Sequence, residues 1–108
     1  MKGDESAATG GERSVESTRE HVRVRVVVTG RVQGVWFRDS CREQARSLRI
    51  AGFVRNRGDG AVEAEFEGPE AAVTRMVAWC REGPPRARVD DVQVEIVATV
   101  GARRFAVG

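Results

Sequence analysis

Long apolar stretches are missing from this chain of 108 residues. No run approaches the roughly 20 residues that a membrane-spanning helix needs. The N-terminus carries no apolar segment of the secretory kind, so the cytoplasm is the expected compartment. Cysteine is scarce: Cys41 and Cys80 are the only two, and both are expected to remain buried thiols. The single histidine, His21, falls at the start of a strand-like segment. No group of Asp, Glu, His or Cys has metal-ligand spacing, so neither a metal nor another cofactor is expected.

What is present is ordinary for a globular domain. The chain is 41% hydrophobic and 31% charged, with a formal net charge of +2. One domain fits this length and two do not. Residues 1–20 hold three basic and five acidic side chains, and the remainder hold 15 and 11. So small an excess suits an anionic small molecule and falls short of the footprint that duplex DNA demands. Every basic residue except Lys2 is arginine, which lowers the information in any single arginine.

Residues 1–20 are rich in Gly, Ser, Thr, Ala and Glu. They cannot bury enough apolar surface to offset ordering entropy, so a disordered tail is expected there and a folded domain over 21–108. His21 to Thr29 alternates, with Val22, Val24, Val26 and Val28 on one side and Arg23 and Arg25 on the other, as in a half-buried strand. Phe37, Cys41, Ala45 and Leu48 recur at helical spacing. Gly52 to Arg55 begins a second strand, an Asp59-Gly60 turn follows, and Ala61 to Glu67 alternates as a third. Gly68-Pro69-Glu70 opens a second helix, with Pro69 suited to its first turn. Its apolar stripe is Val73, Met76, Val77 and Cys80, and Gly83-Pro84-Pro85 ends it. Val89 to Val97 is a fourth strand with Val92, Val94 and Ile96 inward, and Phe105 to Val107 can add a short fifth.

The order β-α-β-β-α-β predicts an α+β, ferredoxin-like sandwich: an antiparallel sheet with two helices on one face. The third strand should lie between the first two. The opposite face should be wet, with Arg23 and Arg25 meeting Glu63, Glu65, Glu67 and Glu95 in exposed pairs of about 0.2–1 kcal/mol each.

Residues 30–38, Gly-Arg-Val-Gln-Gly-Val-Trp-Phe-Arg, link the first strand to the first helix. A glycine-punctuated turn before a helix can converge backbone N–H groups on an anion, and an arginine adds a directed fork. It can equally be an ordinary tight turn with a surface arginine. Topology strengthens the first reading. The first two strands are parallel with one strand between them, so their ends share a sheet edge about 10 Å apart. Arg38 and Asn56, which closes the second strand, therefore converge.

Several spaced motifs now agree. Gly30 to Arg38, Gly52-Phe53-Val54-Arg55-Asn56, Asp59-Gly60-Ala61-Val62, Gly68-Pro69-Glu70, Trp79-Cys80, Gly83-Pro84, Ala87 and Val89 resemble the acylphosphatase family, bacterial members especially. The likeness covers about residues 22–107. It implies hydrolysis of the mixed anhydride between a carboxylic acid and phosphate. Arg38, at the family's arginine position, would bind the phosphoryl group. Asn56, at its asparagine position, would orient the attacking water. Backbone N–H groups of Arg31, Val32, Gln33, Gly34 and Val35 would form a phosphate-binding loop. The substrate would be a small-molecule acyl phosphate and inorganic phosphate a product, handled by a monomer without nucleic acid or membrane. Two departures stand out: Arg57 where a small hydroxyl is frequent, and Gly108 where an aromatic is common.

The chemistry suits these residue types. An acyl phosphate is already activated, so positioning water and stabilising phosphoryl charge suffice. Asp39 follows Arg38 and is expected to point elsewhere on the helix. Trp36 either walls the site or packs plainly, and Trp79 is expected in the core. Two other readings share the fold. RNA binding needs aromatics on the open face, where the expected residues are charged. A non-catalytic ligand-sensing module gives Arg38 and Asn56 no reason to converge.

Overall fold

A computed structural model describes residues 20–108. Except for Glu20, the tail expected over 1–20 lies outside the described residues. The elements are β1 (His21–Arg31), α1 (Phe37–Ser47), β2 (Ala51–Asn56), β3 (Val62–Pro69), α2 (Glu70–Glu82), β4 (Arg88–Val97) and β5 (Phe105–Val107). The five strands form one sheet in the order β4-β1-β3-β2-β5. β3 thus sits between β1 and β2, as its place in a split βαβ unit requires. The four main strands pair antiparallel as expected, and the short fifth strand joins β2 in parallel, so the five-stranded sheet is mixed.

Both helices lie on one face, α1 over β2 and β5 and α2 over β1, β3 and β4. The period-2 valines of β1 explain the layer. Val24, Val26 and Val28 meet Phe37, Cys41, Val54, Val62, Phe66, Met76 and Cys80 in a single buried cluster. Cys41 and Cys80 are free and buried. Each of their thiols has the other as neighbour; that hydrogen bond and burial push the Cys41 thiol well above its ordinary range. Trp79 is only half-buried and packs edge-on against Phe37, ring centroids 5.2 Å apart. Pro69 ends β3 and caps α2 instead of entering its first turn.

Two expectations about exposure fail. Val94 and Ile96 face the helix layer but are 42% and 82% exposed, because β4 is an edge strand and a groove remains between it and α2. The charged face is not uniformly wet either. Arg23, Glu63 and Glu67 are buried. Arg23 Nε donates to Glu65 at 2.6 Å and its Nη1 to Glu67 at 2.8 Å. Glu67 also accepts the N–H groups of Val100 and Gly101, at 3.1 and 2.9 Å, from the β4–β5 connection. Burial would raise the Glu67 pKa, but these amides and Arg23 outweigh it and hold the carboxyl below its usual range. Glu63 is held low as well, first by its hydrogen bond from Arg55, with Arg25 also close. Glu95 lies opposite Arg25 in register but is in no ion pair among the described residues.

Candidate active site

The β1–α1 loop is pinned from below. Val32 and Val35 are 1% and 4% exposed and belong to the core cluster. Gly30 has φ 127, and a Cβ there would overlap the Arg88 carbonyl oxygen on the adjacent strand. Gly34 has φ 75, the left-handed conformation that lets successive N–H groups converge into an anion nest. Among the described residues, the N–H groups of Val32, Gln33, Gly34 and Val35 meet no main-chain acceptor. Arg31, at the end of β1, is exposed.

Trp36 follows with φ 66 and ψ 21 as the N-cap of α1, making no side-chain cap hydrogen bond. The first turn of the helix then delivers Arg38. Its Nη1 donates to the main-chain carbonyl oxygen of Gly108 at 2.6 Å, and Gly108 N donates in turn to Val54 O at 2.8 Å. The residue after β5 therefore sets one side of the guanidinium, and among the described residues its other donors have no partner and border the pocket. No sequence signal pointed to Gly108 in this role, because any residue supplies a carbonyl.

Asn56 ends β2, and among the described residues its buried Oδ1 has no hydrogen-bond partner. A buried polar oxygen left unpaired is unfavourable by roughly 1–3 kcal/mol, so it is poised for a ligand or a water. Arg38 and Asn56 line one pocket of about 290 Å³ with Val32, Gly34, Trp36, Phe37 and Asp39. Asp39 corrects an expectation: it was expected to point elsewhere, yet it lies on the pocket wall, since the first helical turn also faces the cradle.

Gln33 does more than contribute an amide to the loop. Its Nε2 donates to Arg57 O at 2.8 Å and to Ala61 O at 2.9 Å, both ends of the β2–β3 loop. That loop closes on itself through Arg57 N to Ala61 O at 2.8 Å. Arg57 pairs with Asp59 at 2.8 Å, and the Ala61 N–H, first, with Arg57 lowers the Asp59 pKa. Gln33 thus ties the cradle to the hairpin that begins one residue beyond Asn56. Sequence reasoning missed this because a long polar side chain in a loop gives no sign of its partner.

His21 lies at the other end of β1 from this pocket. Among the described residues, no three of His, Cys, Asp and Glu gather closely enough to hold a metal. Among the described residues, the site thus combines the Arg38 guanidinium, loop N–H groups that meet no main-chain acceptor and one unpaired amide oxygen. That set can hold a tetrahedral anion and orient a small nucleophile beside it.

Known proteins share this architecture. A family model described as acylphosphatase matches residues 24–107. The acylphosphatase of Rubrobacter xylanophilus is 58% identical over 94 residues, covering 86% of this chain and 86% of that protein. An acylphosphatase structure from Coxiella burnetii superposes with a TM-score of 0.81 at 33% identity, covering 88% of this chain and 100% of that one. The acylphosphatase of Bacillus subtilis gives 0.78 at 39% identity, over 81% and 98%.

Proposed function

Because the chain belongs to the acylphosphatase family and hydrolyses the carboxyl–phosphate anhydride of acyl phosphates, we propose that Arg38 and Asn56 are the catalytic residues. The observation that carries this reading is the unpartnered Asn56 Oδ1 in the same pocket as Arg38. The phosphoryl group rests on the N–H groups of residues 31–35 and on the free donors of Arg38. Asn56 Oδ1 accepts a hydrogen bond from the attacking water and fixes its approach. The water oxygen forms a bond to phosphorus as the bond to the acyl oxygen breaks. The carboxylate leaves with the bonding pair, and the water proton passes to solvent or product.

Charge on the equatorial oxygens persists through a loose transition state, and preorganised donors stabilise it without reorganising. Arg38 is itself preorganised by Gly108 O. No strong base is required, because a carboxylate leaves readily.

We take the working form to be a cytoplasmic monomer whose only partners are its small-molecule substrate and products. The folded unit is residues 21–108, and residues 1–20 contribute nothing to the chemistry. Arg38→Ala and Arg38→Lys, assayed by phosphate release from acetyl phosphate, test the site. The alanine variant should lose kcat/KM by roughly 10³, and lysine should restore little because a point charge cannot reproduce the planar fork. Near-normal kinetics with lysine would contradict the assignment.

A further inference from the structure

The backbone of Trp36 caps α1, but nothing in the core accounts for its side chain. Its backbone is left-handed at φ 66, a region that bulky side chains avoid. Its side chain is 69% exposed, so the strain is not offset by burial. Trp79, by contrast, packs against Phe37; Trp36 is in no aromatic pair among the described residues. What Trp36 does border is the catalytic pocket, which it lines together with the apolar Val32 and Phe37 and the polar Arg38, Asp39 and Asn56.

An acyl phosphate has two unlike ends. The phosphoryl end is a compact anion, and the acyl end is planar at its carbonyl and apolar beyond it. If Arg38 and the loop amides hold the first, the second faces what remains of the pocket wall. A flat indole is a fitting surface for a flat acyl group.

We propose that Trp36 is a specificity-determining residue, a shelf for the acyl group that makes the enzyme favour aromatic acyl phosphates over acetyl phosphate. The inference rests on the reading that Arg38 and the cradle hold the phosphoryl group. The contact is present in ground state and transition state alike, so it acts on KM and hardly on kcat.

The test is steady-state hydrolysis of benzoyl phosphate and acetyl phosphate by wild type and by Trp36→Gly, Trp36→Asn and Trp36→Phe. Glycine and asparagine tolerate the left-handed backbone and remove the indole; phenylalanine keeps a flat face. The preference for benzoyl over acetyl phosphate should fall about 5–10-fold in the glycine and asparagine variants, through KM for benzoyl phosphate, and largely return with phenylalanine. A preference unchanged in whichever of the two variants is folded by circular dichroism would overturn the shelf. So would equal losses on both substrates, which would make Trp36 a helix-cap residue only. Failure of the underlying reading looks different: Arg38→Ala would then turn over acetyl phosphate normally, while the Trp36 variants still report whether the indole meets the acyl group.

Discussion

The cradle loop and the charged face of the sheet treat polar groups in opposite ways. On the charged face, Arg23 spans Glu65 and Glu67, and Glu67 takes two further N–H groups from Val100 and Gly101. The buried charges there, Arg23, Glu63 and Glu67, each have partners inside the chain. At the cradle, among the described residues, the loop N–H groups meet no main-chain acceptor and Asn56 Oδ1 has no partner, and Gly34 and Trp36 hold left-handed backbones. Both regions are built on the same strands. Satisfied groups stabilise the fold, while unsatisfied ones are unfavourable to it and are held in place by their surroundings. That asymmetry separates stability from catalysis in this molecule.

Removing a charge from the satisfied face should expose the difference most strongly. Glu67→Ala leaves Arg23 short of a partner and frees two N–H groups, which should lower stability by roughly 2–4 kcal/mol. Thermal melting should drop by roughly 10–20 °C, with kcat of the folded fraction unchanged. A melting temperature near wild type would show that the buried pairs contribute little. The pH dependence carries the same information. Glu67 and Glu63 have folded pKa values below the ordinary range. Their stabilisation is therefore complete above the unfolded value of about 4.3 and is lost as pH falls through the lower folded values. Melts of wild type and Glu67→Gln should converge as the pH drops from about 6 to 2. Parallel curves would contradict the linkage.

Gln33→Ala sits between the two regions. It removes two hydrogen bonds that tie the cradle to the hairpin, so stability should fall by about 1–2 kcal/mol. Catalysis should fall about tenfold, mainly in kcat, because Asn56 and the loop lose their common anchor. A stability loss with kcat intact would make Gln33 purely structural. The smallest expected effect comes from chelation. Exhaustive EDTA treatment should leave acetyl phosphate turnover within error, since Arg38 and backbone amides supply the positive charge. Activity lost and then restored by a divalent ion would break that account.

Period-2 and helical patterns placed β1 to β4 and both helices, because each buries one face and the spacing records which. The insertion of β3 followed from the handedness of the split βαβ unit. Arg38 and Asn56 were legible as neighbours for the same reason. The parallel pairing of β5 was not, since three residues carry no direction. The burial of Glu67 was hidden because it depends on where the chain crosses between β4 and β5. Val94 and Ile96 read as core from their alternation, but alternation does not say whether a helix reaches the sheet edge. The anchor roles of Gln33 and Gly108 depend on partners 24 and 70 residues away, beyond any local pattern.

The central claim is that Asn56 holds the attacking water, and Asn56→Gly tests it most directly. Asn56 ends a strand and has no left-handed backbone angle, so glycine is accommodated there and removes the side-chain amide. Stopped-flow or coupled phosphate release with acetyl phosphate should show kcat reduced by roughly 10² or more. KM and competitive inhibition by inorganic phosphate should stay near wild type, because Arg38 and the cradle remain. A folded Asn56→Gly enzyme with wild-type kcat would contradict the account.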